Sequence, residues 1–142
     1  MGVQSKSAEV FPLTVMDHIE DLLRKLDMKF NREDKLIEMR WKTDHFEDLK
    51  LRIFPNDNES WLYIVAPFQS FYDVEESKRA QFAYDMLKAS WQANGVKFAI
   101  EDNERIVVIA ETNDTDITPD ELRVLVGHVV HACDVLYQIY PT

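Results

Sequence analysis

Three glycines and one cysteine among 142 residues set the first limits on what this chain can be. The glycines, Gly2, Gly95 and Gly127, are scattered, so neither a phosphate-cradling glycine loop nor a Gly-x-Ser-x-Gly nucleophile turn can be built. The lone Cys133 sits among apolar residues, which excludes a disulfide framework or a zinc knuckle within one chain and fits a reducing, cytoplasmic setting. Bases are short too: 16 Lys and Arg face 26 Asp and Glu, a formal charge of −10, and the imbalance deepens after residue 72. Such a surface repels phosphate backbones and anionic lipid, which argues against nucleic-acid and membrane partners. No stretch approaches the roughly 20 apolar residues that span a bilayer, and the opening Met1 to Lys6 lacks the apolar run of a signal peptide. What is present is 46% hydrophobic residues, enough for the core of one α+β domain over residues 12–142, after a flexible start over residues 1–11.

Periodicity divides that domain. Leu13, Met16, Ile19, Leu23 and Leu26 recur at three and four, an amphipathic helix that the polar run Asn31-Arg32-Glu33-Asp34 ends. The period then drops to two at Ile37, Met39 and Trp41, and again at Leu49, Leu51 and Ile53, two strands with one wet face each. Pro55-Asn56-Asp57-Asn58 is turn chemistry, and Trp61 to Ala66 is apolar on both faces, as a strand in the middle of a sheet would be. The stretch 67–72 puts Phe68, Phe71 and Tyr72 into a connecting loop, either as a lid folded over the core or as an exposed binding rim. Asp73 with Glu76 reads as the cap of a second helix, with Ala80, Ala83, Met86, Leu87, Ser90 and Trp91 on one side and Asn94-Gly95 as its stop. Val96, Phe98 and Ile100, a tight turn at Asp102-Asn103 and the run Ile106 to Ile109 form a hairpin.

The last helix is announced by Thr118-Pro119-Asp120-Glu121, a capping box with proline at the first helical position. It carries two apolar stripes. Leu122, Leu125, Val129, Ala132 and Leu136, flanked by Val126, Cys133 and Tyr140, face the core, whereas Val124, His128, His131 and Val135 form a second stripe. One small domain can cover a single stripe, so the second points to a homodimer contact or a protein partner. Gly127 lies in the same helix, either for the close approach of another helix or as a neutral accident.

No catalytic, cofactor-binding or metal-ligating set emerges. His128 and His131 share a helix face, but Cys133 points elsewhere, and zinc needs three or four converging ligands. Acid pairs such as Asp17 with Asp21 and Asp120 with Glu121 stand at helix starts, where they act as cap and dipole residues. Trp41, Trp61 and Trp91 fall on apolar positions of separate elements and read as core rather than as a stacking platform for bases. Two functions stay open: a non-enzymatic protein-interaction module, and a small-ligand sensor with its pocket between the sheet and the aromatic segment 67–72.

The order of helix, three-stranded antiparallel meander, helix, two-stranded hairpin and helix resembles the class I type III secretion chaperone fold. Within it the chain looks most like the YbjN-type domain, a bacterial group. The residues that carry the likeness are Ala89 to Gly95, Val96 to Ile100 with the turn at Asp102-Asn103, Ile106 to Glu111, and Ile117 to Leu122. The resemblance implies a five-stranded antiparallel sheet with helices packed on it, frequent homodimerisation and no enzymatic activity. It also implies chaperone-like or regulatory binding of an extended protein client, through strand edges and apolar grooves. Met28-Lys29-Phe30 departs from the family pattern, which has a glycine-bearing turn there.

Overall fold

A computed structural model describes residues 14–142; the flexible start assigned to residues 1–11, and Leu13 of the first predicted stripe, lie outside the described residues. Helix α1, Val15–Lys25, begins at a capping box. The Thr14 hydroxyl accepts from the Asp17 amide and the Asp17 carboxylate accepts from the Thr14 amide, both at 3.1 Å, which satisfies two of the donors a helix start leaves open. Met16, Ile19, Leu22 and Leu23 form its buried face.

The predicted polar terminator is instead a strand. Residues Asn31–Glu33 (β1) pair antiparallel with Leu36–Trp41 (β2), and Asp34 makes the turn between them at φ 55°. A strand this short at a sheet edge has no apolar face to show, so nothing in its side chains distinguishes it from a loop. Its Arg32 reaches back to Asp17 at 2.8 Å and Glu20 at 2.9 Å on α1. The meander continues through Leu49–Pro55 (β3) and Leu62–Ser70 (β4). The sheet therefore has six strands where the resemblance implies five, in the order β1-β2-β3-β4-β6-β5, with Lys97–Ile100 as β5 and Arg105–Thr112 as β6. All pairings are antiparallel. Strand β4 lies between β3 and β6, in the middle of the sheet, as its two-sided apolar character requires.

Two further expectations change around β4. The strand runs on to Ser70, so Pro67 to Ser70 belong to the sheet and not to a loop. A 3-10 turn, Phe71–Asp73, follows with Ser70 as its cap, and helix α2, Glu76–Gln92, starts after Glu75 with no side-chain cap. Asp73 thus closes the turn instead of capping the helix. The turn's carbonyls are taken by Arg79, which donates to Val74 at 2.8 Å and Tyr72 at 3.1 Å.

Helix α3, Pro119–Ile139, has the predicted capping box of Thr118 and Glu121, and it buries Leu122, Val126, Val129, Ala132, Cys133 and Leu136. By length and composition alone it is apolar enough to cross a membrane, but that buried row is committed to the core. The helices sit on one face of the sheet: α3 over β4 and β6, α1 over β2 and β3, and α2 against β5 and α3. Ile37, Met39, Leu51, Ile53, Ile64, Ile106 and Val108 point into the core they enclose. The opposite face carries no described helix. Val65 and Val107 are buried there between neighbouring strands, outside that core cluster.

Gly127 has no close neighbour: a Cβ built there meets no described atom within 4 Å. Close approach by another described helix is not the reason for this glycine.

Candidate protein-interaction surface

Helix α2 has two apolar stripes, and only part of the expected one is covered: Met86 is buried and Ala83 and Ser90 half-buried, but its Leu87 and Trp91 are not. Phe82 and Met86 are buried, while Leu87 is 73% and Trp91 89% exposed. Of the tryptophans expected inside, only Trp41 packs on the core, since Trp61 too is exposed. The cause lies in Phe82. It meets Tyr140 edge-on at 5.3 Å and stacks on Phe71 at 6.5 Å, and this aromatic cluster, with its larger buried area, sets the roll of the helix. Leu87 and Trp91 are then carried outward, while Ala83 stays half-buried.

Beneath those outward residues lies β5. The helix ends at Ala93, and Gly95 turns the chain back at φ 73°, a conformation strained for any side chain. The Phe98 amide donates to the Ser90 hydroxyl at 3.3 Å, which hangs the strand under the helix. An apolar groove of about 300 Å³ runs between Met86 and Leu87 on one wall and Phe98, Ala99 and Ile100 on the other. Strand β5 is the edge of the described sheet, so one side of its backbone pairs with no described strand.

On the other flank of α2 a second groove, about 400 Å³, opens between Ala89, Gln92 and Asn94 and the face of α3 that bears His128, His131 and Val135. Three members of the predicted second stripe therefore come together at one groove; Val124 is exposed beyond it. A metal set does not form there. Among the described residues no three His, Cys, Asp or Glu side chains converge. Cys133 faces the core, where burial and the nearby Asp134 charge push its thiol up to about 12. Asp134 is itself engaged by the Thr43 hydroxyl and His45 Nδ1, both at 3.1 Å.

The three aromatics of the expected rim separate. Phe68 turns inward with the strand alternation and packs against Phe46 at 6.1 Å and Tyr140 at 5.2 Å, and Phe71 lies on Phe82. Both act as the lid. Tyr72 alone is 60% exposed, with the Arg79 guanidinium 4.9 Å from its ring. Beneath this segment Phe68 and Phe71 pack with Phe46, Phe82 and Tyr140.

Reasoning from sequence missed Leu87 and Trp91 as surface residues. The sequence does show a doubling, with Phe82, Met86 and Ala89 on one stripe of α2 and Ala83, Leu87 and Trp91 on another, but not which stripe is buried.

No family model matches the chain, and no curated protein matches it. Solved structures do. A chain of the ExsC–ExsE complex superposes with a TM-score of 0.67 at 9% identity, covering 91% of this chain and 98% of its own. The heterodimeric ExoU–SpcU complex from the type III secretion system of Pseudomonas aeruginosa gives 0.62 at 17% identity, over 86% of this chain and 97% of the other. YbjN from E. coli gives 0.61 at 18% identity, over 88% and 91%. Near-complete coverage in both directions at such low identity is a likeness of fold. The chain has the α+β fold that YbjN and the type III secretion chaperones share.

Proposed function

We propose that this chain is a non-enzymatic, cytoplasmic protein-interaction module, chaperone-like or regulatory, that binds a segment of another protein and works as a homodimer. One observation carries the reading: Leu87 and Ile100 stand exposed in the lining of an apolar groove beside an edge strand, with Trp91 exposed one turn on from Leu87. Large apolar side chains gathered in water mark a surface that another protein covers. A second copy fits because the projecting Trp91 and the groove lie on the same face. A two-fold axis would seat each tryptophan in the partner's groove, the self-complementary arrangement of an isologous interface. The stripe of Val124, His128, His131 and Val135 borders that face and extends it. The solved complexes of this fold, ExsC–ExsE and ExoU–SpcU among them, support a protein as the further partner.

Light scattering on the purified chain tests this. A dimer at micromolar concentration is expected, converted by Leu87→Glu with Trp91→Glu into a monomer with unchanged circular dichroism. A wild type that is already monomeric would refute the homodimer. Val124→Glu with Val135→Glu tests whether the α3 stripe shares the contact.

A further inference from the structure

We infer that the open face of the sheet, away from all three helices, is a docking surface for an acidic, extended segment of a protein partner. The inference rests on the reading of the chain as a protein-interaction module and names the chemistry of what it binds. The register sets the surface out. Arg52 of β3, Val65 of β4, Ile109 of β6 and Lys97 of β5 stand in one cross-strand row, and Pro67 and Val107 pair in a parallel row. A band of apolar residues thus crosses the middle of a face that no described element covers, with Val65 and Val107 buried between their neighbours and Ile109 half-buried.

At one end of that band the sheet parts. The β3–β4 ladder stops at Arg52 and Val65, and beyond it β4 offers Pro67, which has no N–H to donate, while its register against β6 shifts between Pro67 and Ser70. A hollow of about 290 Å³ opens there, and Lys50, Arg52 and Arg105 line it. Asp48 lines the hollow as well but is engaged by Arg40, and Glu38 is the register partner of Arg52; among the described residues none of the three cations has a carboxylate within 4 Å. Three cations with no ion-pair partner among the described residues thus meet in one hollow, beside the engaged Asp48, on a chain of formal charge −10.

That contrast selects the partner. The net negative charge disfavours acids over the surface as a whole, so an acidic segment is steered to a place where cations gather. Guanidinium forks at Arg52 and Arg105 suit carboxylates in two-point contact. A nucleic acid is a poorer fit, because its continuous phosphate charge would extend past the hollow onto the acidic surface. Phe46, Pro67 and Phe68, half-buried in the lining of the hollow, ask in addition for leucine or aromatic side chains, which a protein segment supplies in alternation along an extended strand.

The test uses fluorescence anisotropy with the full chain and a labelled peptide alternating glutamate with leucine and phenylalanine. Binding is expected, weakened by salt and by about tenfold in the Lys50→Gln, Arg52→Gln, Arg105→Gln triple variant, the scale of three lost rim contacts. The matching charge-reversal variant should abolish it, and both variants should keep the wild-type circular dichroism; the glutamine variant carries the test if reversal unfolds the sheet. Equal binding by the same peptide with lysine for glutamate, or by both triple variants, would overturn the inference. So would equal binding of a single-stranded oligothymidylate, which would make the hollow a phosphate site. Peptide binding lost in Trp91→Glu and kept in the triple variants would move the partner to α2, overturning this inference while the interaction-module reading stands. No peptide binding, together with a monomer indifferent to Trp91→Glu, would remove both.

Discussion

Cys133 shows how burial decides what one side chain can do. A thiol pushed up to about 12 holds almost no thiolate at pH 8, and the thiolate is the reactive form. The native protein should therefore resist iodoacetamide at that pH and be alkylated fully once unfolded, with mass spectrometry reading the difference. Gly127 presents the opposite case, an exposed helical position where the missing side chain has no described neighbour. Gly127→Ala should raise stability by about 1 kcal/mol, the difference in helix propensity, as an increased denaturant midpoint. An unchanged or lowered midpoint would mean that the glycine is kept for something docked on that face.

Among the elements, α1 is held to the sheet edge by Arg32, which both Asp17 and Glu20 share. Hydrogen bonding to Arg32 holds the Asp17 carboxyl below its ordinary 3.8, and bonding to Arg24 and then Arg32 holds Glu20 below 4.5. Because these values are lowered in the folded state, the tether's stabilisation is complete above the ordinary values and fades as pH falls through the lowered ones. Arg32→Gln should therefore lower the thermal midpoint at pH 6, and the gap from wild type should close in strong acid. The middle strand carries more. Ile64 is buried in the core face of β4; Ile64→Ala should cost about 2–5 kcal/mol in chemical denaturation, and Ile64→Asp should prevent folding by burying an unpaired charge. Strands β2, β3, β4 and β6 and helices α1 and α3 were legible in the sequence because each has one dominant period, and α3 because its cap is spelled out from Thr118 to Glu121. Strand β1 was not, being three polar residues paired only by backbone. The roll of α2 was not, because its two stripes compete and tertiary contact with Phe71 and Tyr140 decides between them. For the same reason half of the candidate surface was hidden: His128, His131 and Val135 could be read from α3 alone, but Leu87 and Trp91 could not. The cationic hollow needs β4 beside β6 to bring Arg105 near Lys50, and no local pattern records that neighbour.

At the scale of the whole molecule, one core cluster runs from α1 through the sheet to α3. We expect a single cooperative unfolding transition shared by fluorescence and circular dichroism. If the homodimer forms as proposed, its midpoint should also rise with protein concentration, because association stabilises only the folded chain. The strand order has a consequence for how the chain reaches this state. Strand β4 pairs with β6 from Leu62 opposite Thr112 to Pro67 opposite Val107, so all of α2 and β5 must be synthesised before its second neighbour exists. Until then a nascent chain leaving the ribosome would present β4 with one backbone edge open and apolar side chains on both surfaces, the combination most prone to pairing with the wrong chain. A truncation just before β6 should accumulate in inclusion bodies, and translation speed through α2 and β5 should set the yield of soluble protein.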